Sequence, residues 1–149
     1  MKDKIEFICL PILLVVLFFI GRMVMGLTGA PYDDANRVFS MVILQMHLAI
    51  LWAAVGRVHK KYTLTEAVTA VVMIILLSQV LIWIATVAAY MTHSSTYFNY
   101  PAALNQRTTV SFGAAMLIRA GGLIGNCIMG AILGTIGWFM GALIPAGKK

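Results

Sequence analysis

Side chains that could do chemistry are scarce in this 149-residue chain, which contains three histidines, two cysteines and five acidic residues. Their spacing matches no phosphate-binding loop, no nucleotide-binding glycine fingerprint, no H-E-x-x-H and no C-x-x-C. No serine stands in the context of a nucleophile elbow. We therefore expect a protein that is not an enzyme and that carries neither a metal nor another cofactor.

Polar residues in the middle of apolar runs are the first candidates for a function. Gln45 and His47 lie two residues apart, so on a helix their side chains point about 200° away from each other and do not face one cavity. For His47 two interpretations stay open: a neutral imidazole bonded to the carbonyl of a neighbouring helix, or a group that binds haem or quinone or relays protons. Bis-histidine haem ligation does not fit, because His59 and His93 lie toward opposite ends of the bundle. Gln79 is expected to hydrogen-bond across to another helix.

Two arginines also lie within or beside apolar runs. Arg22 is one turn from the outer end of the first run, where we expect its guanidinium to snorkel to the lipid headgroups. If the last span begins near residue 120, Arg119 is an interfacial cation, and this is the interpretation that we favour. If the helix is unbroken from Thr108, Arg119 faces protein or a water-filled path and needs a partner. Asp33 and Asp34 are the acids of the chain on its side.

Glycines dominate the last apolar run, since eight of the thirteen fall within residues 111–144. One stripe has the i, i+4, i+7, i+11 spacing of a helix face and continues back to Asn126 and Arg119. A second small-xxx-small pair lies on roughly the opposite side. Glycines in lipid let helix backbones approach closely, so we predict a helix packed on both faces. The predicted helix-packing residues are Gly130, Gly134, Gly137 and Gly141 on the first face, and Gly121 and Gly125 on the second.

The composition, 61% hydrophobic and 11% charged, excludes a water-soluble globular domain. Four apolar runs are each long enough to cross about 30 Å of hydrocarbon. We predict an all-α integral membrane protein, with residues 1–149 forming a single four-helix transmembrane domain. The predicted spans are about 5–28, 36–58, 64–90 and 111–144. We also predict a short interfacial helix beginning at Pro101 and a bend or long tilted helix near Gly121-Gly122.

Charge and short motifs predict how the helices are connected and oriented. Thr63 and Glu66 have the spacing of a capping box at the start of the third span. The net charge of +6 lies in clusters at the ends of the runs, which favours a membrane protein over a nucleic-acid-binding one. The positive-inside rule places both termini in the cytoplasm, and the absence of an N-x-S/T sequence makes an inner (cytoplasmic) membrane the default location. The basic residues assigned to the cytoplasmic side are Lys2, Lys4, Arg57, Lys60, Lys61, Lys148 and Lys149.

Three functional hypotheses follow from these features. The leading one is a non-enzymatic subunit of a larger membrane complex for secretion, transport or respiration, whose partners are the lipid bilayer and other subunits or copies of itself. The second is a homo-oligomeric channel or small transporter, with a path lined by Gln45 or His47, Gln79, Asn126 and Arg119. The third is a haem- or quinone-binding anchor that uses His47.

Overall fold

The computed structural model describes residues 2–144, except the side chains of residues 2–5, 34 and 35. Lys148 and Lys149, which the orientation prediction counts, lie outside this range, as do the side chains of Lys2, Lys4 and Asp34. Helix makes up 80% of the chain, and the described part contains no strand, which confirms the all-α class. The helices are α1 (Lys2–Leu27), α2 (Tyr32–Val38), α3 (Met41–Lys60), α4 (Leu64–Met91) and α5 (Phe112–Ala142), with a 3₁₀ turn at Pro101–Leu104.

Four stretches of helix are long and apolar enough to cross a membrane: Glu6–Leu27, Asn36–Lys60, Leu64–Met91 and Phe112–Ala142. This is the architecture of a multi-pass membrane protein. Which membrane holds it, and which way the chain runs through it, stay predictions.

The second predicted span differs from a single helix. A break after Val38 separates the short α2 from α3, and Ser40 caps α3 by accepting a hydrogen bond at 3.4 Å from the amide of Ile43. Serine is favoured at a helix N-terminus because its hydroxyl oxygen accepts a hydrogen bond from a backbone amide that has no partner inside the helix. Consequently α2 is a separate helix of about two turns that follows α1.

The last span is one unbroken helix that continues through Gly121-Gly122. At 1.5 Å per residue, the 31 residues of α5 extend about 46 Å, well beyond a hydrocarbon core of about 30 Å. The interfacial helix predicted from Pro101 is only a 3₁₀ turn, because Asn105 adopts a left-handed conformation (φ 54°) and ends it.

Contacts between sequence-distant residues define the two ends of the bundle. At one end, which we call the basic end (residues 57–62), Tyr62 packs on Phe7 with ring centroids 5.1 Å apart, and its carbonyl accepts a 2.9 Å hydrogen bond from the indole of Trp138. At the other, the loop end (residues 92–111), Tyr97 donates to the carbonyl of Ala30. The predicted capping box of Thr63 and Glu66 is present at the start of α4 and closes the α3–α4 hairpin.

Candidate functional site

The middle of the bundle holds a closed cluster of polar side chains on α3 and α4. Gln45 is fully buried; its amide nitrogen donates to the hydroxyl of Ser78, and its amide oxygen accepts a 2.9 Å hydrogen bond from Gln79. This is the expected bond from Gln79 to another helix. Because these amides and the hydroxyl satisfy one another without solvent, the cluster joins α3 to α4.

His47 lies on the outside of α3, away from Gln45, as the helical spacing predicts. Its side chain is exposed, and Nδ1 is 2.8 Å from the carbonyl oxygen of Ile43, one turn earlier in the same helix. The imidazole therefore bonds within α3 rather than to a neighbouring helix. Among the described residues, no three histidine, cysteine or acidic side chains come together as a metal-binding group.

The two glycine faces of α5 have different surroundings. Gly130, Gly134, Gly137 and Gly141 are all buried, and they face α3 and α4 of the same chain. A Cβ built on Gly137 would overlap the backbone of Ile50, and one on Gly141 would be 3.0 Å from the carbonyl oxygen of Ala54. These contacts bring the backbones of α3 and α5 together.

The second glycine face is open. A Cβ built on Gly121 or on Gly125 would meet no atom of the chain within 4 Å. Asn126, which shares the first stripe in the helical projection, is half-buried. The glycine faces thus divide into one that holds the bundle together and one that points away from it.

Arg22 does not snorkel outward, so the prediction for this residue is wrong. Its side chain is only 7% exposed, and Nη1 donates to the side-chain oxygen of Asn36 at 3.2 Å and to the carbonyl oxygen of Phe39 at 3.4 Å. Nη2 donates to the hydroxyl of Tyr32 at 3.1 Å. The reason is α2, which packs against α1 and supplies two of these acceptors, Tyr32 and Asn36.

Arg119 also turns inward, so the favoured interfacial interpretation is wrong. The condition for it fails because α5 begins at Phe112 and Arg119 lies two turns inside the helix. Its Nε donates to the hydroxyl of Thr86 at 3.1 Å, and its Nη2 donates to the carbonyl oxygen of Phe98 at 2.6 Å. Asp33 is exposed, and within the described part of the chain neither Arg119 nor Arg22 has a carboxylate partner.

Arg22 and Arg119 meet at one cavity of about 90 Å³ near the loop end. Its walls come from α1, α2, α3, α4, α5 and the loop between α4 and α5. The polar residues among them are Arg22, Tyr32, Asn36, Ser40 and Arg119. The sequence had marked the two arginines separately; it gave no sign that they share a cavity.

Residues that sequence reasoning missed include Tyr32, Asn36 and Thr86, each of which accepts a hydrogen bond from one of these arginines. Tyr32 also lies under Arg22, whose guanidinium carbon is 5.3 Å from the ring centroid, and it stacks on Tyr100 at 5.0 Å. The signal that could have found them is an arginine near the end of one helix and polar residues near the facing end of the next helix, or the reverse order in the case of Thr86.

Two further cavities lie at the ends of the bundle. One of about 320 Å³ at the basic end is lined by Arg57, Lys61, Tyr62 and Trp138, with the guanidinium carbon of Arg57 3.6 Å from the indole centroid. The other, of about 230 Å³, is a mostly apolar groove between α1 and α4 at the loop end.

Comparison of this chain with protein-family models, curated proteins and solved structures gave no match.

Proposed function

We propose that this protein is a non-enzymatic integral membrane subunit of a larger membrane complex, such as one for secretion, transport or respiration. In this proposal it docks onto a second membrane polypeptide through the outward face of α5. The observation that carries the proposal is the pair Gly121 and Gly125, which lie on that face with no atom of the chain within 4 Å of a Cβ built on either.

The surroundings of this pair support a docking role. Leu117, Ile124 and Ile128 flank the glycines and are 76%, 59% and 58% exposed. Large apolar side chains beside two glycines one turn apart form a shallow groove that fits the ridge of another helix. Of the four spans, α5 is also the least buried, at 17% of its most apolar window against 39% for α4.

Gly121 and Gly125 lower the stability of the helix without a contact in the chain that offsets this cost. A glycine in a helix costs about 1 kcal/mol relative to alanine. On the inward face this cost is offset by the close approach of α3, but Gly121 and Gly125 make no such contact within the chain. In membrane proteins, glycine pairs of this spacing let a helix of another polypeptide approach closely.

The experiment compares recovery of partner polypeptides between variants purified from native membranes in mild detergent. We expect Gly121→Leu and Gly125→Leu to lower the amount of co-purified partner at least about tenfold, the effect of losing about 1.4 kcal/mol of binding. Their membrane insertion and melting temperature should match the wild type, because the substituted positions face outward. Gly113→Leu is the matched control, since it makes the same change at another open glycine of α5.

Unchanged partner recovery in both outward variants would refute the proposal. A second copy of this chain on the same face would instead support the homo-oligomeric channel, which a flux assay in proteoliposomes tests. The channel hypothesis has less support from the geometry, because Gln45 and Gln79 bond to each other and His47 lies outside the bundle. The haem or quinone hypothesis requires a partner that covers the exposed face of α3.

A further inference from the structure

We propose that the cavity between Arg22 and Arg119 binds a phosphate-type oxyanion, either as the headgroup of a phospholipid or as free phosphate. This site is separate from the outward face of α5 and does not depend on assembly with a partner. The proposal rests on charge, on hydrogen-bond donors for which the described residues provide no acceptor, and on the shape of the surroundings.

Two positive charges line the cavity, and none of the carboxylates that the structure describes pairs with them. Both guanidinium groups line the same space, and they repel each other electrostatically. Arg22 is only 7% exposed. Within the described part of the chain, neither arginine has a carboxylate partner. Two like charges held this way in a low-dielectric setting are unfavourable unless an anion joins them.

The described residues accept hydrogen bonds from only part of the donors on these two side chains. An arginine has five N–H donors, and five hydrogen bonds to Tyr32, Asn36, Phe39, Thr86 and Phe98 engage the two guanidinium groups together. Those bonds fix both side chains in place, so about half of the donors remain for a ligand. Planar guanidinium groups match the oxygen spacing of phosphate and carboxylate groups, and bidentate pairs of this kind are strong.

The size and position of the cavity suit a phosphate group. Its volume of about 90 Å³ is several times the ~10 to 15 Å³ of cavity space that one water molecule needs. Arg22 and Phe98 also line the apolar groove of about 230 Å³ between α1 and α4. An oxyanion at the arginines would therefore have space for an acyl chain directly beside it, which is the arrangement that a bound phospholipid needs.

The first experiment uses the wild-type protein and two probes. Native mass spectrometry of protein purified in mild detergent detects retained phospholipid as a defined mass increment. The same protein, stripped of lipid, is then heated in sodium phosphate and in sodium chloride of equal ionic strength, while tryptophan fluorescence reports the melting temperature. A retained phospholipid identifies the headgroup as the ligand. Stabilisation by phosphate over chloride without retained lipid identifies the free anion.

Variants test whether the arginines hold the ligand. Arg119→Gln should weaken binding of whichever probe binds by about tenfold or more, since a hydrogen-bonded charge is lost. Arg119→Lys keeps the charge without the planar fork and should weaken binding less. Arg107→Gln, at an exposed arginine of the same end, should leave binding unchanged. Failure of the wild type to bind either probe would overturn the proposal, and so would equal losses in Arg107→Gln and Arg119→Gln.

Discussion

The packing of the buried glycine face of α5 predicts opposite effects for two similar substitutions. Gly134 and Gly137 both lie on the buried face of α5, one turn apart. A Cβ on Gly134 would sit 3.5 Å from a methyl carbon of Val71, which is ordinary van der Waals contact. A Cβ on Gly137 would overlap the backbone of Ile50, which has no rotamer to change.

The magnitudes follow from these contacts. Alanine in place of glycine favours the helix by about 1 kcal/mol at either position. At Gly134 this gain is not opposed, so Gly134→Ala should raise the free energy of unfolding by about 0.5 to 1 kcal/mol. At Gly137 the added methyl pushes α3 and α5 apart, an overpacking that costs about 1 to 3 kcal/mol. Since backbone atoms have no alternative rotamer, we take the upper value of this cost. After subtraction of the helix gain, we expect Gly137→Ala to lower the free energy of unfolding by about 2 kcal/mol.

The assay is reversible unfolding in mixed micelles of mild detergent and increasing dodecyl sulfate, followed by circular dichroism. A single transition at all wavelengths establishes that the free energies can be compared. The two alanine variants should differ by about 2.5 to 3 kcal/mol, with Gly137→Ala the less stable. Equal stability of the two variants, or a more stable Gly137→Ala, would refute the close approach of α3 and α5 at this point.

Two further predictions concern the polar residues of α3. Gln45→Leu should lower the free energy of unfolding by about 1 to 3 kcal/mol, because it leaves Ser78 and Gln79 buried without their partner. Gln45→Leu combined with Gln79→Leu should recover part of that loss. If the losses of the two single variants simply add in the double variant, measured in the same unfolding assay, the hydrogen-bond network is contradicted. His47→Ala should change the free energy of unfolding by no more than about 0.5 kcal/mol, since its side chain is exposed and bonds only to its own helix. A visible absorption band that is present in the wild type and lost in His47→Ala would contradict this and favour the haem hypothesis.

The four apolar spans and their helical structure were predictable because they depend on local features of the sequence. Long apolar runs predict spans whatever their neighbours are, and the capping box of Thr63 and Glu66 is encoded within four residues. The helical angle between Gln45 and His47 likewise follows from spacing alone, and the structure places one inside and one outside. Helix period and hydropathy suffice for such predictions.

The arginines were mispredicted because their environment depends on residues far along the chain. Two of the acceptors for Arg22 lie in α2, a short helix that ends before Ser40 caps α3. One acceptor for Arg119 is the backbone carbonyl of Phe98, which no side-chain pattern marks. The glycine faces show the same limit, since spacing identifies both faces of α5 but not which one its own chain already occupies.

The native mass of the assembly tests the docking proposal most directly. The wild-type protein, tagged and purified from native membranes in mild detergent, is weighed intact without variants or added ligands. If the protein is a complex subunit, we expect a particle that contains this 16.2 kDa chain and at least one different membrane polypeptide in a fixed ratio. A particle with the mass of the chain alone, with or without bound lipid, would contradict the role of a complex subunit.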